Sequence, residues 1–128
     1  MKKFLTKLFT SLCVLSVAIV AVYAVSTTSS CELKPLTRSV STSAVGVSTK
    51  ARGYGYCYAN SAKPCNFSIY ACWTGWPYTC EYSTTMYVGQ DPVNHTETQS
   101  NDSNFYVELA NRNDFGYQTH AYGQITLE

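Results

Sequence analysis

The sequence has few of the residues that enzymes most often use for acid–base chemistry. It contains only two histidines, His95 and His120, and only 13% of its residues are charged. It has no Gly-x-Ser-x-Gly motif, so the nucleophile elbow of α/β-hydrolases is excluded. The carboxylates are scattered, and no spacing selects a general acid and a general base. These absences favour a non-enzymatic function over that of a small hydrolase.

Metal and nucleic-acid sites are disfavoured on similar grounds. Neighbouring cysteines are spaced more widely than the Cys-x-x-Cys pairs of structural zinc sites. The formal net charge is +1, and the charges are too few and too mixed for the basic face that binds nucleic acid. We therefore expect no metal, no cofactor and no nucleic-acid partner.

The one long apolar run lies near the N-terminus. A lysine-rich start precedes the stretch Leu8–Val22, and Ala24 offers a small residue at a cleavage site. This layout predicts a secretory signal peptide over residues 1–24, of bacterial type. The alternative is an uncleaved anchor, because the run is close to the shortest that spans a bilayer. The protein is expected to be secreted, with membrane contact only if the signal stays attached.

The next segment is dominated by serine and threonine and contains no aromatic residue. This composition predicts a flexible leader over residues 25–42 and a single β domain over residues 43–128. The polar interval 89–104 is interpreted as a long loop inside that domain.

Alternating side chains predict the strands of the β domain. Tyr54, Tyr56 and Tyr58 alternate with small residues, which could allow another layer to approach closely. In two further runs every second residue is apolar and is predicted to face inward. These residues are Phe67, Ile69, Ala71 and Trp73 in one run and Phe105, Val107 and Leu109 in the other. No helix is predicted after the signal. The pattern indicates an all-β fold, a small antiparallel β-sandwich or barrel of about five to seven strands.

Disulfide bonds between cysteines are expected to cross-link this domain. Of the six cysteines, Cys13 lies in the predicted signal, and five remain. In an exported chain of this size they are interpreted as disulfides. A hairpin centred on Trp76 would place Cys72 directly opposite Cys80. Cys57 and Cys65 likewise flank the loop of residues 60–64. The predicted bridges are Cys57–Cys65 and Cys72–Cys80. Cys31 would then be unpaired, bonded to another chain, or paired in place of a cysteine in one of these bridges.

The aromatic residues are the feature of the sequence that most clearly suggests a function. The sequence has eleven tyrosines, and tyrosine-rich faces suit recognition. Trp76 lies between Gly75 and Pro77 in a turn, where burial is hard to arrange. It either covers the predicted Cys72–Cys80 bridge or forms a binding platform. The candidate platform residues are Trp76, Tyr78, Tyr70 and Trp73.

These observations predict a secreted, non-enzymatic recognition module. Its partner would be an extracellular glycan, the cell wall or a protein surface, contacted through the exposed aromatic residues. The alternative is a secreted antimicrobial or toxin-like protein, which would also be small, exported and compact. A small hydrolase is the third hypothesis. The oligomeric state cannot be predicted.

Overall fold

The computed structural model describes residues 27–111 and 118–128. All regular structure in these two ranges is β-strand, and seven strands form one antiparallel sheet. In chain order the strands are β1 (Thr28–Leu33), β2 (Ser39–Ser41), β3 (Val45–Cys57), β4 (Cys65–Cys72), β5 (Thr79–Met86), β6 (Val93–Asn111) and β7 (Ala121–Leu127). The predicted all-β, antiparallel class is confirmed.

The long strand β6 organises the sheet. The strand order is β1-β7-β3-β6-β4-β5, and the short β2 also pairs with β6. The first half of β6 pairs with β3, from Val93 opposite Gly55 onward. Its second half pairs with β4, from Asn104 opposite Cys72 to Asn111 opposite Cys65. The strand β6 therefore joins β3 to β4 in the sheet.

The core is built from alternate residues of β4 and β6. These residues are fully buried or nearly so, as the alternation predicts: Phe67, Ile69, Ala71, Phe105, Val107 and Leu109. Leu33, Val45 and Ile125 complete it from β1, β3 and β7. The inward position predicted for Trp73 is wrong, because β4 ends at Cys72 and Trp73 is exposed.

Two glycines let β3 approach a strand that is not its neighbour in the sheet. A Cβ on Gly53 would lie 2.6 Å from Ile69 Cδ1, and one on Gly55 would lie 2.7 Å from the Phe67 ring. Since β6 separates β3 from β4, these contacts require the sheet to curve until its inner surfaces meet. Only a residue without a side chain fits there. The alternating tyrosines of β3 consequently face outward.

The segment predicted as a flexible leader contributes two strands to the sheet, β1 and β2. Residues 28–33 form β1, which pairs with β7 from Thr28 opposite Thr126 to Leu33 opposite Ala121. Leu33 is completely buried, and Thr42 Oγ1 accepts a hydrogen bond at 3.0 Å from the backbone N–H of Val107, which lies 65 residues later in the chain. Threonine is favoured in strands, so a segment rich in serine and threonine can still form one, and composition alone did not predict β1. The predicted signal peptide lies outside the described residues.

The interval predicted as a long loop is also largely strand. β6 begins at Val93, and its exposed residues alternate with half-buried ones through Gln99. Pairing with β3 holds this polar stretch in place, with His95 opposite Gly53 and Glu97 opposite Ala51. Only the short connection from Tyr87 to Pro92 remains irregular.

The predicted disulfides are absent, and the five cysteines among the described residues are free thiols. For Cys72 and Cys80 the reason is register, because an irregularity after Ile69 places Cys80 opposite Tyr70. Cys72 then becomes a diagonal neighbour of Cys80. Diagonal neighbours lie about 7–8 Å apart, which exceeds the Cα separation that a disulfide spans.

Among the same residues, no helix has the length and apolar character needed to cross a membrane.

Candidate functional site

The turn between β4 and β5 presents both tryptophans to solvent. Gly75 adopts a φ of +88°, which glycine tolerates without strain, and Thr74 Oγ1 donates a hydrogen bond to the Trp76 carbonyl at 3.1 Å. Trp73 is 67% exposed and Trp76 is 80% exposed. Trp76 therefore does not fold back as a cover over Cys72 and Cys80.

Three tyrosines pack together on the outer face beside this turn. Tyr70 of β4 and Tyr106 of β6 are directly opposite in the sheet, and their rings stack at 4.8 Å with an interplanar angle of 4°. The Tyr78 ring meets Tyr106 edge-on at 4.9 Å. We call these three tyrosines together with Trp73 and Trp76 the tip platform. The predicted residues Tyr70 and Tyr78 are thus brought together by Tyr106.

The tip platform keeps its phenol groups protonated. Burial raises the pKa of Tyr70, Tyr78 and Tyr106. The Glu108 carboxylate raises the pKa of Tyr70 and Tyr106 further, because a nearby negative charge opposes ionisation. Neutral phenols can both donate and accept hydrogen bonds, so the surface combines flat apolar rings with polar tips.

Tyr106 was missing from the predicted site although its outward orientation could be read from the sequence. It alternates with the buried Phe105 and Val107, so its face was evident. Its neighbours were not evident, because they depend on the pairing of β6 with β4, which places Tyr106 opposite Tyr70. Strand order was the missing information.

A second aromatic group, not predicted as a site, covers the outer face of β3 and β7. We call it the tyrosine ladder, formed by Tyr54, Tyr56, Tyr58, Tyr122 and His120. Tyr56 contacts Tyr54 at 6.0 Å, Tyr58 at 5.2 Å and Tyr122 at 5.4 Å between ring centroids. The His120 ring stacks on Tyr58 at 4.0 Å. The ladder is the outward counterpart of the small residues that face the core.

His120 ties three parts of the chain together at the end of this ladder. Its Nε2 lies 2.6 Å from Glu32 Oε1 of β1, and its Nδ1 lies 2.8 Å from Asn60 Oδ1 of the β3–β4 loop. Burial, with contributions from Tyr56 and Glu32, raises the pKa of Tyr58 to about 12. Since both ring nitrogens of His120 have partners, the arrangement suits a structural link better than a general base.

His95 lies on the inner face, at the polar end of the sheet. Its ring stacks on Tyr82 at 3.7 Å with an interplanar angle of 7°. Its Nε2 lies 3.2 Å from Glu97 Oε2, and Gln99 Nε2 donates to Glu97 Oε1 at 3.2 Å. Both carboxylate oxygens of Glu97 are therefore occupied by its strand neighbours.

Within residues 27–111 and 118–128, no three histidine, cysteine or acidic side chains are grouped so that they could hold a metal ion. No protein-family model matches the chain, and no curated protein or solved structure matches it either.

Proposed function

We propose that this protein is a secreted, non-enzymatic recognition module that binds an extracellular glycan through the tip platform. The observation that carries the proposal is the exposure of Trp76 and Trp73 beside a packed tyrosine cluster. Two large apolar rings held in solvent by a short turn gain most when a ligand covers them. The tyrosines below supply a rigid base at low cost in side-chain entropy.

A sugar ring suits this surface for two reasons. Its apolar C–H face can stack on an indole, and its hydroxyls can exchange hydrogen bonds with phenol groups that remain neutral. Arginine and lysine are absent from the tip platform, so the surface offers no ion pair to an acidic ligand. A protein surface remains the competing partner, and the experiment below separates the two.

The direct test is co-sedimentation of the purified protein with insoluble cell-wall polysaccharide. Wild type should pellet with the polysaccharide, and Trp76→Ala should remain in solution. Trp76→Phe should retain part of the binding, because a smaller aromatic ring still stacks. Val47→Ala is the control, since Val47 is 62% exposed but lies on β3, outside the tip platform. If wild type does not pellet, the glycan proposal fails.

We also propose that the predicted Cys57–Cys65 bridge, which is absent from this structure, forms in the exported protein. The Cys57 thiol donates to the Met86 carbonyl at 3.3 Å, and Met86 lies directly opposite Cys65 in the β4–β5 pairing. A hydrogen bond from the Cys65 backbone also reaches the Cys57 side chain. Protein exported under oxidising conditions should therefore have an intact mass lower than its reduced mass by two hydrogens. A mass equal to that of the reduced chain would refute the bridge.

A further inference from the structure

Two cavities adjoin on the outer face of the sheet, and Tyr54 belongs to both. The first has a volume of about 310 Å³ and is lined by Arg52, Tyr54, Asn94, Gln124 and Thr126. It is mainly polar in character. These residues come from β3, β6 and β7, so three adjacent strands contribute to one site.

The second cavity has a volume of about 460 Å³ and is more apolar. It lies between the end of β3 and the β5–β6 connection, and its lining includes Tyr54, Tyr56, Ala59, Val88 and Pro92. Both volumes fall in the range of small-molecule sites, about 300–1,000 Å³. Tyr54 therefore contributes to both a polar cavity and an apolar one.

The sheet register explains why these side chains converge. Tyr54 is directly opposite Gln124 on β7 and Asn94 on β6, while Arg52 is opposite Thr126. All of them point outward, because Gly53 and Gly55 occupy the inward positions against Ile69 and Phe67. The packing of the core thus fixes the outer arrangement of the polar cavity, whose lining residues all lie on strands rather than on loops.

The polar cavity offers hydrogen bonds but little net charge. Arg52 Nε lies 3.3 Å from Glu128 Oε1, so an acidic side chain balances the guanidinium. The side-chain amides of Asn94 and Gln124 have no hydrogen-bond partner among the residues that the structure describes. They can therefore donate to and accept from a ligand. These features complement a neutral ligand that is rich in hydroxyl groups.

We propose that Tyr54 and its two cavities form a second carbohydrate site, which takes two adjacent residues of a neutral oligosaccharide. One sugar hydrogen-bonds to Asn94 and Gln124 in the polar cavity, and the next packs against Tyr54 and Tyr56 in the apolar one. The site shares no residue with the tip platform. The domain would thus hold a glycan at two places, which raises avidity for a long chain beyond that of either site.

The test is an NMR titration of the isotope-labelled protein with soluble cellopentaose and, separately, chitopentaose. At least one of these neutral probes should shift the side-chain NH₂ signals of Asn94 and Gln124. Tyr54→Ala should weaken this binding about tenfold, as the loss of a stacked ring predicts. Asn94→Ala should weaken it as well, and because Asn94 is exposed the fold is retained.

Trp76→Ala separates this proposal from the function proposed for the tip platform. It should leave the Asn94 and Gln124 shifts unchanged. If the oligosaccharide shifts only tip-platform signals, or if Tyr54→Ala and Asn94→Ala bind as wild type does, the second site is refuted while the proposed function stands. If an oligogalacturonate shifts the Asn94 and Gln124 signals and the neutral probes do not, the assignment to a neutral glycan is overturned.

Discussion

Tyr70 and Tyr106 lie face to face across the β4–β6 pair, with ring centroids 4.8 Å apart and planes inclined by only 4°. Tyr78 closes the group against the edge of Tyr106. This relationship joins Tyr70 of β4 and Tyr78, which follows the exposed turn, in one aromatic cluster. Tyr106 is its central member, since it contacts both of the others.

Replacing Tyr106 should therefore disturb the tip platform. Tyr106→Ala should lower the free energy of unfolding by about 1–3 kcal/mol, because two aromatic contacts and their buried area are lost. It should also weaken polysaccharide binding. Tyr106→Phe keeps both ring contacts and should retain most of the stability. Urea denaturation and co-sedimentation measure the two effects; unchanged binding by a folded Tyr106→Ala would remove this residue from the site.

The glycines of β3 should not accept even one methyl group. Gly53→Ala would place its Cβ 2.6 Å from Ile69 Cδ1, so we expect a loss of about 1–3 kcal/mol in urea denaturation. The double variant Gly53→Ala with Ile69→Val removes the clashing Cδ1 atom. Its stability should exceed that predicted by adding the two single effects. Simple additivity would show that β3 and β4 are not in this contact.

The strand β1 should be required for stability rather than dispensable as a leader. Leu33 is completely buried, whereas Leu36, three residues later, is 81% exposed. Leu33→Ala should therefore cost about 2–5 kcal/mol, and the matched Leu36→Ala should cost little. Thermal or urea unfolding compares them directly. Equal effects of the two substitutions would contradict the pairing of β1 with β7.

The reduced protein should lose stability in alkaline solution. Burial raises the pKa of the Cys31 thiol to about 11 and that of Cys65 to about 12, from an ordinary value of 9.0. Above pH 9 the unfolded chain therefore releases protons that the folded chain keeps. Below pH 9 these two thiols should not lower the free energy of unfolding. That free energy should fall as the pH rises from 9 toward 12. Cys65→Ala should flatten this pH dependence; an unchanged slope would exclude Cys65 as its source.

The same differences in burial should set the order in which the cysteine thiols are alkylated. Cys80 is exposed, whereas Cys65 is buried and Cys31 is half-buried. Because the thiolate is the reactive form, Cys80 should be alkylated first by iodoacetamide at pH 8 in reduced protein. Mass spectrometry of digested samples taken over time measures the order. Faster modification of Cys65 than of Cys80 would contradict the burial described above.

The sequence was most informative where large apolar residues alternate. The positions of Phe67, Ile69 and Ala71 in β4 follow from a period of two, and so does the core face of β6. The small face of β3 also correctly indicated close packing of another layer. In these strands the local pattern and the tertiary environment agree.

Two elements were missed because their alternation is polar. In β1 only Leu33 is a large apolar residue, and in the first half of β6 the inward residues His95, Glu97 and Gln99 are themselves polar. Composition then resembles a linker or a loop, although pairing with other strands holds both segments in the sheet. Tertiary context overrides a weak local signal in such cases.

The candidate site could be predicted only in part. The position of Trp76 between Gly75 and Pro77 argued against burial, but the sequence left open whether its ring covers Cys72 and Cys80 or stands in solvent, as it does in the structure. The role of Tyr106 and the convergence of Tyr54 with Asn94 and Gln124 depend on which strands are neighbours, and a single sequence does not reveal strand order. The displacement of Cys80 from Cys72 depends on one irregularity after Ile69, which shifts every later pair.

The position of β7 between β1 and β3 has a consequence for synthesis. Thr28 and Thr126, whose hydroxyls are 3.3 Å apart, are separated by 98 residues along the chain. During translation β1 thus emerges long before its partner strand exists, and the sheet cannot be completed on a partly made chain. Such non-local pairing is slow to form. The pairing that holds β1 in the sheet must therefore wait until residues 121–127 have been synthesised.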